Sequence, residues 1–276
     1  MIALWLSQLL PILVSGQAII PALLIKKSNL LNTDYIGSYN WFASALYLSN
    51  YYDNAIAIDL GSTTCDFILL KDGKIVLEKY FNGHSDTSNW YWASAGKTIT
   101  SFLVGMAQEQ GYLEITDTTS DYLGNGWTNC NPIQENKITI WNQLTMTTGL
   151  DDNVSDPNCT NDNCLLYFSD PGSRWAYHNA PYTLLRPVIE NATGQGINIY
   201  NYQKLLNPTG MTGLFIYNGF NNIFYSTSRS MARFGLLILN NGNWDGNQIM
   251  TDTNYFNPVS YTHLRAHETL RYLVCR

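Results

Sequence analysis

The sequence predicts an α+β domain, and three features carry that reading. FILLKDGKIVLEKYF (residues 67–81) holds two apolar, β-branched runs joined at Asp72-Gly73, a dipeptide that accepts the backbone of a tight hairpin turn. From Ala95 onward, Ala95, Ile99, Phe102, Leu103 and Met106 recur at helical spacing, which predicts an amphipathic helix over 94–110 with one buried stripe. Between 111 and 170, short apolar runs are separated by Asn, Asp, Thr and Gly, the pattern of a loop-rich, mostly helical insertion. Within it, ITIWNQLTMTTGL reads as a short helix closed by Gly149. Two more helices follow, at 180–192 (APYTLLRPVIENA) and 228–240 (SRSMARFGLLILN), with turns at Gly194–Gly196 and Asn241–Gly246. No internal repeat or low-complexity tract interrupts this order.

A chain of 276 residues, 45% of them hydrophobic, has enough apolar surface for a sizeable core. Fifteen basic against 21 acidic side chains leave a net charge of −6, which excludes the electrostatic footprint of a nucleic-acid binder. Five Cys are too few for a disulfide scaffold, and none has the C-x-x-C spacing of a structural zinc site, so no metal is expected. Cys159 and Cys164, in DPNCTNDNC, can close a small loop if oxidised.

Residues 1–25 carry no charge and precede Lys26-Lys27. MIALWLSQLL lacks the basic start of a secretory signal, and a spanning helix would have to absorb Gln8, Pro11, Gln17 and Pro21. Membrane association stays open, with a buried apolar segment as the other reading. AIAIDLGSTT (55–64) is a β-rich run breaking into Asp59–Thr64, a turn that can offer N–H groups and hydroxyls to a phosphate. With the preceding SYNWFASALYLSN it resembles the nucleotide-binding start of hydantoinase-A-like ATPases.

The chemistry concentrates at Ser94-Ala95-Gly96-Lys97, a hydroxyl and an amine three residues apart where the predicted helix begins. Residues at i and i+3 share a helix face. A serine hydroxyl is too weak an acid to attack an acyl carbon unaided, and a neighbouring amine can take its proton. The helix start adds backbone N–H groups aimed at developing negative charge. No G-x-S-x-G elbow is present, so an α/β-hydrolase mechanism loses support.

WYWASAGKTITSFLVGMAQEQGYLEITDTTSDYLG, then ITIWNQLTMTTGL, then YSTSRSMARFGLLILNNGNW resemble successive segments of serine β-lactamases and penicillin-binding proteins. The likeness is to the class C-like branch that includes esterases and amide hydrolases, and it spans about residues 66–257. It implies a β-lactamase/transpeptidase-like fold: a mostly antiparallel sheet flanked by helices, with a helical insertion beside the active site. It also implies that Ser94 is the nucleophile, with Lys97 handling protons. Of the four Tyr-x-Asn triplets, only Tyr177-His178-Asn179 lies in the matching context, RWAYHNAPYTLL. There the resemblance makes Tyr177 the proton relay and Asn179 a polar contact to substrate or to Lys97. His178 reads as a packing or surface histidine, and Trp90, Tyr91 and Trp92 read as core rather than an acyl pocket. The implied substrate is a small-molecule or peptide acyl donor (an ester, amide or β-lactam). No cofactor is needed, and the implied location is the cell envelope or periplasm.

Two departures qualify the match. The family's later Lys/His-Ser/Thr-Gly strand, source of the second oxyanion donor, is absent before residue 258. The domain is therefore expected to be truncated at its C-terminus, with a sheet lacking its final strands. SYTHLRAHET within 258–276 resembles a translated sequencing adapter, so His263 and His267 receive no role despite their i, i+4 spacing. Residues 1–65 do not resemble the family's usual opening and form a separate segment. The expected function is a serine hydrolase acting through an acyl-enzyme on Ser94. The alternatives are a nucleotide-binding ATPase-like fragment using Asp59–Thr64 and a non-catalytic penicillin-recognising module.

Overall fold

A computed structural model describes residues 56–60, 65–81 and 83–256. The apolar run at 1–25, Gly61–Thr64 of the phosphate-turn reading, and the 258–276 tail lie outside the described residues. The chain forms two compact units. Of the described residues, the first contains those up to Ala95 with Thr209–Gly213 and Tyr225–Asn240; the second contains Gly96–Pro208, Leu214–Phe224 and those from Asn241.

In the first unit, β1 (Ile56–Leu60), β2 (Cys65–Lys71) and β3 (Lys74–Tyr80) form an antiparallel sheet in the order β1-β2-β3. Asp72 and Gly73 both take positive φ, 51° and 74°, so the β2–β3 hairpin turns through the left-handed backbone that this dipeptide accommodates. β1, assigned from sequence to the segment outside the hydrolase domain, pairs along β2 with Ile56 opposite Leu69 and Leu60 opposite Cys65. The edge of β2 away from β3 is therefore covered. The helix Ser228–Leu239 packs Ala232 and Leu236 against Ile68 and Leu70 of β2. Its Arg229 grips Glu78 of β3 through two parallel hydrogen bonds of 2.6 and 2.7 Å. That guanidinium holds the Glu78 carboxyl below its ordinary range.

The short strand β4 (Asn89–Tyr91) pairs antiparallel with the end of β6 (Asn221–Thr227), Asn89 opposite Thr227. β5 (Leu214–Asn218) is the other neighbour of β6. Trp92, expected in the core, is buried: its indole donates to Ser226 Oγ at 2.7 Å and its ring meets Phe234 edge-on. Trp90 and Tyr91 are only half-buried.

The second unit is built on α1 (Gly96–Glu109). The spacing predicts one buried stripe, yet Ile99 through Ala107 are all buried, so the helix is enclosed all round. Thr100 and Ser101 look polar in sequence but are buried as well. Gly105 allows this closeness, since a Cβ there would come within 2.3 Å of the Tyr255 ring. Tyr255 in turn donates its hydroxyl to the Ser101 carbonyl at 2.5 Å.

The insertion holds helices of about one turn: α2 (Ser120–Leu123), α3 (Pro132–Glu135) and α4 (Ile140–Leu144). It is less helical than the sequence suggests, because side-chain caps and loop bonds replace helix ladders. Asn131 and Thr139 each form a reciprocal capping box with the residue three positions on. Glu135 is buried and accepts from Gly126 N, Thr128 N and Thr128 Oγ1 at 2.7, 2.8 and 2.6 Å. Beneath lies a core of Ile138, Leu150, Leu165 and Ala180.

The helix expected over 180–192 is two helices, α5 (Asn179–Thr183) and α6 (Leu185–Thr193), broken at Leu184. Pro187 explains the break, since it has no N–H to give the Thr183 carbonyl. After α7 (Ile197–Asn201) and α8 (Asn207–Thr209), the chain reaches α9 (Ser228–Leu239), capped at its start by Thr227 accepting from Ser230 N. The Asn241–Gly246 turn region includes a miniature hairpin, β7 (Asn243–Trp244) and β8 (Asn247–Gln248). Among the described residues no helix is long and apolar enough to cross a membrane.

Candidate active site

Ser94 lies in a single 3-10 turn, Ala93–Ala95, that runs directly into α1. The turn is closed by Ala95 N donating to the Trp92 carbonyl at 3.0 Å. Ala93 holds φ at 46°, a conformation that costs a residue with a Cβ roughly 1–2 kcal/mol. Sequence spacing predicts Ser94 as a helical residue; the structure places it in the lead-in and Lys97 in the first turn of α1. Ser94 is the penultimate residue of its stretch in the first unit, and Lys97 is the second residue of the other.

Within the second unit, Lys97 and Tyr177 come together. The ammonium Nζ stands 5.2 Å from the centre of the Tyr177 ring and 5.8 Å from that of Tyr182. An aromatic face attracts such a cation through its quadrupole. Tyr177 is 46% exposed, so part of its side chain faces solvent.

Tyr182 was not singled out from sequence, and it fixes this corner. Buried on α5, it donates its hydroxyl to the Lys97 carbonyl at 2.9 Å and meets Ser101 Oγ at 2.5 Å. A phenol has one proton and a carbonyl only accepts, so Ser101 is the donor in the second bond. Burial pushes the Tyr182 phenol well above its ordinary value, so it remains a neutral donor.

Asn179, the first residue of α5, does not contact Lys97. Its Nδ2 donates to Asn158 Oδ1 at 2.9 Å, while its own Oδ1 is buried without a partner. Asn158 immediately precedes the small loop closed by the Cys159–Cys164 disulfide, with Cα atoms 5.9 Å apart, as the spacing of those cysteines allowed. The neighbouring Pro157 carbonyl accepts from Ala180 N, 3.1 Å away. No sequence signal marked Asn158 beyond its place beside Cys159.

His178 is a packing residue: buried, with neither ring nitrogen hydrogen-bonded. Burial pulls its pKa below the ordinary 6.5, against the opposing influence of Asp152 and Asp151, with Arg174 adding to the depression. Above that value both folded and unfolded chains hold a neutral ring. As the pH falls through 6.5, the unfolded chain takes a proton that the folded chain resists, so stability is lost toward acid. His178→Phe should therefore flatten the decline in urea midpoint between pH 7.5 and 5.5. Parallel profiles for the two proteins would refute this account.

Among the described residues no group of three or more His, Cys, Asp or Glu side chains is placed to hold a metal ion. A Ser-x-x-Lys stretch running into an enclosed helix, antiparallel strands and a capped insertion define a β-lactamase/transpeptidase-like fold. The chain belongs to the Beta-lactamase family, whose model matches residues 65–255 and whose members are generally hydrolases. Protein flp of Staphylococcus aureus (strain MRSA252) is 28% identical over 166 residues, covering 52% of this chain and 33% of that protein. The chain thus spans about a third of that curated relative. Among solved structures, a penicillin-binding protein homologue from Caulobacter crescentus superposes with TM-score 0.55 at 13% identity, over 69% of this chain and 68% of that one. A D-stereospecific amidohydrolase from Streptomyces sp. gives 0.51 at 15%, over 66% and 67%. These two likenesses show the fold.

Proposed function

We propose that the chain is a serine hydrolase that forms an acyl-enzyme on Ser94. The observation that carries the reading is the Lys97–Tyr177 pair: Nζ lies 5.2 Å from the centre of an exposed tyrosine ring, three residues after a serine at a helix start. Lys97, once its ammonium has shed a proton to solvent, takes the Ser94 hydroxyl proton with Tyr177 as relay, while Oγ attacks the acyl carbon. The tetrahedral intermediate then expels the leaving group, which departs with that proton. Water attacks the resulting ester, releasing the acid and returning the proton to Ser94. Backbone N–H groups at the start of α1 support the developing oxyanion. Asn179 contacts the substrate.

The acyl donor is a small molecule or peptide: an ester, amide or β-lactam. The Cys159–Cys164 disulfide supports an oxidising compartment such as the cell envelope or periplasm. A fluorophosphonate or penicillin probe should add covalently to Ser94, located by peptide mass, and Ser94→Ala should abolish the adduct. Equal labelling of the variant would sink the assignment.

A further inference from the structure

Tyr182 meets Lys97 at both of its ends. Its hydroxyl donates to the Lys97 carbonyl at 2.9 Å, and its ring centre lies 5.8 Å from the ammonium Nζ of the same residue. The first contact takes an indirect route. Ser101 stands four residues after Lys97 on α1, and a helical serine can turn its hydroxyl back onto the carbonyl four residues earlier. Here the Tyr182 hydroxyl is inserted into that bond: Ser101 Oγ donates to it at 2.5 Å, and it passes a hydrogen bond on to the carbonyl. Tyr182 is 2% exposed, so both bonds are shielded from water. The helix that carries it is seated in turn. Ala180 packs with Ile138, Leu150 and Leu165, and the buried Gln143 donates to the Pro181 carbonyl at 2.8 Å.

A lysine amine sits on a flexible four-carbon stem, and proton transfer requires it within hydrogen-bond reach of its partner. Tyr177 alone is a loose seat, since it is exposed and lies near the end of a segment with little regular structure. We propose that Tyr182 is a positioning residue for the hydrolase reaction, its hydroxyl fixing the first turn of α1 against α5 and its ring confining the Lys97 amine. The inference rests on the serine hydrolase reading and adds to it a residue that acts only through Lys97.

The test follows labelling of Ser94 in the full chain by a fluorophosphonate probe, as the rate at saturating probe and the concentration giving half that rate. Tyr182→Phe keeps the ring and deletes the hydroxyl, so the saturating rate should fall roughly tenfold or more while the half-saturating concentration stays within about twofold of wild type. Ser101→Ala breaks the neighbouring buried bond but leaves the Lys97 contact, and its saturating rate should stay within about twofold. The double variant, Ser101→Ala with Tyr182→Phe, leaves no unpaired hydroxyl, so it should fold with stability near wild type and still be as slow as Tyr182→Phe. It decides the matter if the single variant does not fold. A merely structural network predicts instead that Ser101→Ala is as slow as Tyr182→Phe. That result, a near-wild-type saturating rate in Tyr182→Phe or the double variant, or a loss confined to the half-saturating concentration overturns this inference and spares the hydrolase reading. No Ser94-dependent labelling of the wild-type chain overturns both.

Discussion

Lys97→Ala is expected to slow acylation of Ser94 by roughly 10³-fold or more in a probe-labelling time course, since one member of a coupled proton-transfer unit disables the rest. The variant should stay folded: the Lys97 carbonyl that accepts from Tyr182 is main chain and remains in place. Tyr177→Phe keeps the ring beside Lys97 Nζ and deletes only the hydroxyl. It should lose acylation to a similar degree, and the double variant should be little worse than either single one. Near-wild-type acylation in Tyr177→Phe would leave that residue a packing role only. A fast Lys97→Ala would remove the base from the mechanism.

The largest expected loss of stability comes from Glu135. All three groups facing its buried carboxylate are donors, Gly126 N–H, Thr128 N–H and the Thr128 hydroxyl. Truncation to alanine leaves them without acceptors, and hydrogen bonds to charged groups contribute about 1.5–3 kcal/mol each. Water can re-enter at the exposed Gly126 side, so a net loss of about 3 kcal/mol is expected rather than the full sum. Glutamine is an informative intermediate: its amide has one oxygen, and its nitrogen would face a donor. Urea denaturation should rank wild type above Glu135→Gln and Glu135→Ala lowest. A Gln variant as stable as wild type would mean that the loop rearranges to supply other acceptors.

What could be read from the sequence depended on the distance over which its physics acts. The β2–β3 hairpin was legible because Asp72-Gly73 meets a local demand for positive φ at both positions. The 228–240 helix was legible in its apolar face, and it ends within a residue of that range. The enclosure of α1 was not legible, because Thr100 and Ser101 interrupt the apolar pattern and burying Ser101 depends on Tyr182 far along the chain. The break at Leu184 was available locally in Pro187 but was outweighed by the apolar spacing of 180–192. At the site, Ser94 and Lys97 stood out by chemistry and Tyr177 by resemblance alone, since four Tyr-x-Asn triplets look alike. The Asn158–Asn179 hydrogen bond could not be found from sequence, because it joins segments that no local pattern relates.

The enclosure of α1 also sets a hierarchy of motion. Amides in a helix buried all round exchange with solvent only through openings close to complete unfolding. The segment 150–178 has one 3-10 turn, Asp162–Cys164, as its regular element, and its strand-like pairing is the single bridge Leu150–Tyr167. Such a segment opens at much lower free energy. Lys97 therefore rides on a slowly exchanging element, and Tyr177 ends a segment whose amides should exchange much faster.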